Sequence, residues 1–116
     1  MNRLPNAHLA VVDERKVNAY LLSDSHPAGR AKAVFFRRYG FRAASWEALR
    51  DALLAHGRTA EVVSTTETEF GMKYILEGTL AAPDGRVPHL RTVWFVTAGE
   101  VFPQLVTAYP ALGDEK

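Results

Sequence analysis

The sequence predicts a two-layer α+β domain, with two or three N-terminal helices packed on a four-stranded antiparallel sheet. Three observations predict it. Before Gly57 the apolar residues recur with the 3.6-residue period of a helix. After Gly57 they alternate with the period of two that marks a strand. The connections in this second half are short, which makes successive strands antiparallel neighbours. The 116 residues contain no internal repeat and no linker-like stretch, so residues 1–116 read as one domain.

Each element has its own local cause. Met1–Asn6 and Gly113–Lys116 read as frayed ends. After the apolar run Leu9–Val12, Asp13 is placed to cap a helix over about Glu14–Leu22, with Val17, Tyr20 and Leu21 on its buried face. Ser23–Ser25 break it. Pro27 suits the first turn of a second helix, where its missing N–H costs nothing, and Ser25 or His26 is the cap. That helix runs to about Tyr39, and Gly40 supplies a left-handed stop. Ser45 caps a third helix over about Trp46–His56 that ends at Gly57. Trp46, Leu49, Ala52, Leu53 and His56 form its apolar stripe. Strands follow at Thr59–Thr66, Lys73–Ala81, Pro88–Thr97 and Gln104–Tyr109, with Pro83-Asp84-Gly85 as a turn between the second and third. In the third strand Leu90, Thr92, Trp94 and Val96 share one face, and Arg91, Val93 and Phe95 the other. Helices cover only one face of such a sheet. A site belongs on the other face, or in the groove that the sheet makes with a helix end.

Composition excludes several classes. Hydrophobic residues at 47% and charged residues at 23% are a globular balance, so disordered and collagen-like chains are out. The absence of cysteine removes disulfides, zinc–thiolate sites and thiol catalysis. No apolar run approaches the ~18 residues of a membrane span, and no signal-peptide core stands at the N-terminus, so a cytoplasmic protein without membrane contact is expected. The net charge of +1 hides an asymmetry. Residues 1–58 carry ten basic and five acidic side chains, whereas residues 59–116 carry four basic and eight acidic ones. Between Ser25 and Trp46 there is no acid, but there are Arg30, Lys32, Arg37, Arg38 and Arg42. Such a field attracts phosphates or an acidic partner. A solvated helix face that offsets the acidic half would read the same way.

The candidate chemistry is sparse. On the second helix Ala28, Ala31, Phe35 and Tyr39 centre on one side, and Arg30 and Arg37 fall on the solvent side. Lys32 lies only about 40° from the centre of the apolar arc. Its stem either snorkels along the core rim or holds an ammonium at the sheet edge, aimed at an anion. His26 precedes Pro27 at the start of this helix, where free N–H groups favour phosphate and an imidazole can exchange protons near neutral pH. Gly29, Arg30 and Lys32 follow within six residues. Arg91, flanked by apolar strand residues, needs a carboxylate or phosphate partner; Glu77 and Glu69 are the carboxylates at hand. Thr107 and Tyr109 share a face of the last strand and can donate hydrogen bonds to a phosphate. His56 reads as a core residue, and His8 and His89 carry little information. No histidine pair has metal-ligand spacing with acids nearby, so neither a metal nor a cofactor is expected. There is no Walker loop, dinucleotide fingerprint, nucleophile elbow or catalytic carboxylate pair.

Taken together, Leu4-Pro5-Asn6-Ala7, Tyr20-Leu21-Leu22, His26-Pro27-x-Gly29-x-x-Lys32-Ala33-x-x-Phe36, Phe70-Gly71-x-Lys73-Tyr74, Arg91-Thr92-Val93-Trp94 and Leu105-Val106-Thr107-Ala108-Tyr109-Pro110 resemble a family of small bacterial domains of unknown function. The His-Pro-x-Gly-x-x-Lys-Ala element carries most of that resemblance, which spans about residues 4–110. The helices-then-sheet order and the final Thr-Ala-Tyr-Pro are also similar to nuclease toxins of the barnase–EndoU–colicin–RelE superfamily. That resemblance implies metal-independent RNA cleavage, in which the 2′-OH attacks the adjacent phosphate. His26 would then be the general base or acid, Lys32 and Arg91 would stabilise phosphate charge, and Thr107 and Tyr109 would position the phosphate or supply the second proton. Gly29 and Arg30 would contact substrate, and Phe70 or Trp94 would stack a base, or else pack in the core as aromatic rings more often do. RNA and a cognate inhibitor or partner protein are the implied partners. The competing reading is a non-catalytic binding or immunity-type module whose His-Pro-x-Gly element only builds a helix start. The near-neutral total charge favours this second class, and the clustered basic helix the first.

Overall fold

The architecture is three helical segments followed by a four-stranded antiparallel sheet of order β1-β2-β3-β4. The computed structural model describes residues 2–23, 25–27 and 29–111. Ala28 and Gly113–Lys116, to which the sequence assigns a helix face and a frayed end, lie outside them. Among the described residues no helix is long and apolar enough to cross a membrane.

The N-terminal segment is not frayed as the sequence suggests. Leu4 is buried in the core, and the Asn2 carbonyl accepts a hydrogen bond from the Val62 N–H at 3.0 Å. Val11 then forms an isolated parallel bridge with Gln104, which extends the sheet past its last strand. Asp13 caps helix α1 (Glu14–Lys16) by accepting from the Arg15 N–H at 2.8 Å. The chain continues into a π-helical stretch, Val17–Leu21. Val17 and Leu21 are fully buried, and Tyr20 is half-buried.

Helix α2 spans Arg30–Arg38, and Gly40 at φ 102° ends it as expected. Its buried side differs from the one the sequence suggests. Gly29, Ala33 and Phe36 face the core, whereas Ala31 is exposed and Phe35 and Tyr39 are only half-buried. This rotation turns Arg37 inward from its expected solvent position, and its guanidinium donates to the Leu22 carbonyl at 3.5 Å. The cause is Gly29, whose bare Cα lets that side of the helix approach its neighbour closely.

Helix α3 spans Trp46–Thr59. Ser45 makes no side-chain cap, and the chain enters α3 from a 3₁₀ turn at Ala43–Ser45. Gly57 does not stop the helix. A Cβ there would come within 2.9 Å of Trp94 Cζ2, so the glycine makes room for the indole against α3.

The strands are β1 (Glu61–Thr68), β2 (Gly71–Thr79), β3 (His89–Thr97) and β4 (Gln104–Pro110). Alternation in β3 follows expectation for Leu90, Thr92 and Trp94, which are fully buried under the helices. Val96 is only half-buried. Phe70 at the β1–β2 turn is 70% exposed, so it packs into no core. A bulge between β3 and β4 shifts the register at Val93/Trp94, so that Trp94 faces Leu105 while Val93 faces Thr107. The sheet face away from the helices therefore carries the rows Glu77–Arg91–Tyr109 and Ile75–Val93–Thr107.

Candidate functional site

Tyr20 organises the site. The π-helical stretch carries its ring to the outer edge of β4, where its hydroxyl lies 3.0 Å from Thr107 Oγ1. The His26 ring stands edge-on to it with centroids 5.0 Å apart. The Lys32 and Lys16 ammoniums lie 5.5 and 5.3 Å from the Tyr20 ring centroid, close enough for cation–π attraction. Thr107, far along the chain, is thus brought to the same tyrosine as His26 and Lys32.

Gly29 makes this arrangement possible. A Cβ there would overlap the Tyr20 carbonyl oxygen and lie 2.9 Å from its carbon. Gly29 is therefore a packing residue between the start of α2 and the π-helical stretch. His26 closes the turn that leads into α2. Its Nδ1 accepts from the Gly29 N–H at 3.2 Å, and its carbonyl accepts from the Gly29 and Arg30 N–H groups at 3.1 and 3.0 Å. Helix α2 itself begins later than the sequence suggests, with Gly29 as its N-cap and no side-chain cap, so neither Ser25 nor His26 holds that position. An accepting Nδ1 places the proton of the neutral ring on Nε2. The His26 and Arg30 side chains are exposed to solvent.

A groove of about 640 Å³ opens beside this cluster, between α1 and the start of β4. Arg15, Lys16, Tyr20 and His26 line one side, and Val11, Gln104 and Leu105 the other. Asp13 also borders it, but the Arg15 N–H and guanidinium hold its carboxyl below the usual carboxylate range.

Arg91 and Tyr109 form a neighbouring group. They are direct cross-strand partners, with the guanidinium 5.9 Å from the ring centroid. Of the two carboxylates at hand, Glu77 is the one opposite Arg91, and it forms the ion pair. Thr107 and Tyr109 share a face of β4 about 7 Å apart, so Thr107 joins the two groups. Trp94 belongs to neither. It is fully buried and its Nε1–H donates to Thr92 Oγ1 at 2.8 Å. A ring without exposed surface offers no face to a base, which removes Trp94 from the expected contacts. Sequence reasoning missed Tyr20, Lys16 and Gln104 as site residues. Tyr20 reads as core from its period, and its polar tip was the available signal.

The Trp94 bond is one end of a chain of buried donors. Thr92 Oγ1 lies 3.0 Å from His56 Nδ1, and His56 Nε2 lies 3.0 Å from the Leu90 carbonyl and 3.2 Å from that of Gly78. The neutral ring satisfies every partner if Nε2 carries the proton. Burial pushes its pKa below the ordinary 6.5, against the smaller upward pull of the Gly78 and Leu90 carbonyls. The unfolded chain takes up this proton at higher pH than the folded one. Stability is therefore fully present above about pH 6.5 and is lost as pH falls toward the folded value, by at most about 1.4 kcal/mol per pH unit. Denaturant titrations at pH 7.5, 6.5 and 5.5 should show this decline, and His56→Gln should be less stable at pH 7.5 but lose the slope. Equal slopes in both proteins would refute it.

The fold and the site define a class: a small helices-then-sheet domain with a histidine, two lysines and a threonine hydroxyl gathered around one tyrosine that borders a groove at the sheet edge. Residues 3–112 match the family model described as a domain of unknown function (DUF6883), and the chain belongs to that family. Among solved structures it is similar to a chain of a contact-dependent growth inhibition toxin–immunity protein complex from Klebsiella pneumoniae 342. The two are 18% identical with a TM-score of 0.70, over 90% of this chain and 95% of the other, a likeness of fold. No curated protein matches the chain.

Proposed function

We propose that this protein is a metal-independent ribonuclease of toxin type. The observation that carries the reading is the gathering of His26, Lys32 and Thr107 around Tyr20, which together with His26 also lines an open groove. In the proposed reaction the RNA 2′-oxygen bonds to the adjacent phosphorus and the P–O5′ bond breaks, leaving a 2′,3′-cyclic phosphate and a 5′-hydroxyl. His26 takes the 2′-OH proton at Nδ1 after its ring turns off the Gly29 N–H. That N–H keeps the His26 carbonyl as its second acceptor at 3.1 Å, so it is not itself orphaned by the turn. Lys32 meets the charge that builds on the phosphate, with Arg91 behind it. Thr107 and Tyr109 hold the phosphate, and a hydroxyl of this group protonates the leaving oxygen.

A second reading is a non-catalytic immunity-type module. The Arg91–Glu77 ion pair favours it, because it offsets one of the two cations that the chemistry would use. The neighbour, whose complex contains a toxin and its immunity protein, supports either reading equally. Incubation of the purified protein with total RNA, with and without chelator, separates the readings. We expect cleavage to cyclic-phosphate ends, unchanged by chelator, and growth arrest on expression in a host. Intact RNA over a wide protein concentration would leave only the binding module. Cleavage abolished by chelator would overturn the metal-free mechanism.

A further inference from the structure

We propose that the groove between α1 and β4 is a subsite for one unpaired nucleotide of RNA, next to the phosphate held at His26; this rests on the ribonuclease reading above. The groove's floor is a hydrogen-bonded extension of the sheet. The Val11 N–H donates to the Pro103 carbonyl at 2.9 Å, and the Leu105 N–H to the Val11 carbonyl at 3.1 Å. Val11 nevertheless stays 43% exposed, leaving an apolar surface open to the groove. Beside it stands the exposed Gln104, whose carboxamide has both donors and an acceptor. An apolar platform next to a carboxamide suits the face and the Watson–Crick edge of an unpaired base.

The opposite side supplies charge for the phosphate. Lys16 stands over Tyr20, and His26 closes the end nearest the reacting groups. The one acid on the lining, Asp13, accepts from the Arg15 N–H at 2.8 Å and from its guanidinium at 3.5 Å and also attracts Lys16, but with Arg15 and Lys16 against that single carboxylate the lining keeps an excess of positive charge. A volume of about 640 Å³ falls within the range of small-ligand sites, roughly 300–1,000 Å³. A base engaged by Gln104 through its pairing edge cannot also be in a duplex. The subsite therefore selects single-stranded RNA, Gln104 sets base preference, and Lys16 sets affinity.

Fluorescein-labelled 2′-O-methyl RNA dodecamers, which bind but lack the attacking hydroxyl, test this by fluorescence anisotropy. Single strands should bind at least about tenfold more tightly than the same strands in duplex. Lys16→Gln should weaken all four homopolymers about fivefold or more, by similar factors, and lower the salt slope by about one. Gln104→Ala, at an exposed strand position, should shrink the spread among the homopolymers about fivefold or more at an unchanged melting midpoint. Variants that bind like the parent overturn the subsite, and if the parent still cleaves total RNA the ribonuclease reading stands without it. The expected variant effects in a protein that cleaves no RNA would keep the groove as an RNA site and remove the catalysis. A parent that binds none of the dodecamers overturns the subsite, as it would if the groove takes a partner protein instead.

Discussion

Changing His26 to asparagine is expected to leave the protein folded and to lower RNA cleavage by about 10²–10⁴-fold. The asparagine amide oxygen can accept the Gly29 N–H in place of His26 Nδ1, as asparagine side chains commonly do in turns. That hydrogen bond is thus retained and proton exchange is lost. His26→Ala removes both, and should add a stability cost of about 1 kcal/mol. Single-turnover cleavage and thermal melting of the two variants separate the roles of the ring. A His26→Asn protein that cleaves at the parental rate would show that the histidine only starts a helix.

Gly29→Ala carries the largest expected structural effect. By intrinsic propensity alone, alanine near a helix start should stabilise by about 0.5–1 kcal/mol. Here the added methyl runs into the Tyr20 backbone carbonyl, which cannot rotate away as a side chain would. Either α2 or the π-helical stretch must shift, at a net cost of about 2 kcal/mol, or roughly 6–12 °C in melting midpoint. The same shift separates His26 from Tyr20 and Thr107, so cleavage should fall together with stability. Thermal melts paired with cleavage assays decide the matter. Unchanged or higher stability with reduced cleavage would mean that Gly29 accommodates substrate and does not pack against Tyr20.

The fold was largely legible because its signals are local. Asp13 caps α1, Gly40 ends α2, and the alternation in β3 buries Leu90, Thr92 and Trp94 as their spacing requires. The misreadings arose where a local signal had two physical meanings. Gly57 reads as a helix stop, but the indole of Trp94 needs its missing Cβ within the helix. Lys32 beside an apolar arc reads as either a snorkelling rim residue or an anion ligand, and its half-buried place along Tyr20 accommodates both. Phe70 reads as a base-stacking or core aromatic, yet it caps an exposed hairpin turn.

By itself the sequence determined the order of elements, the face of β3 that buries Leu90, Thr92 and Trp94, and which side chains are candidates for chemistry. Period and turn chemistry act over a few residues, so they are written locally. Only the tertiary structure decided which of those side chains meet. Tyr20 and Thr107 are 87 positions apart, and no periodicity encodes their contact. The close approach at Gly29 and the bulge that sets Thr107 opposite Val93 bring the two to one edge. Register likewise chose Glu77 over Glu69 as the partner of Arg91, because pairing depends on where two strands align and not on the composition of either.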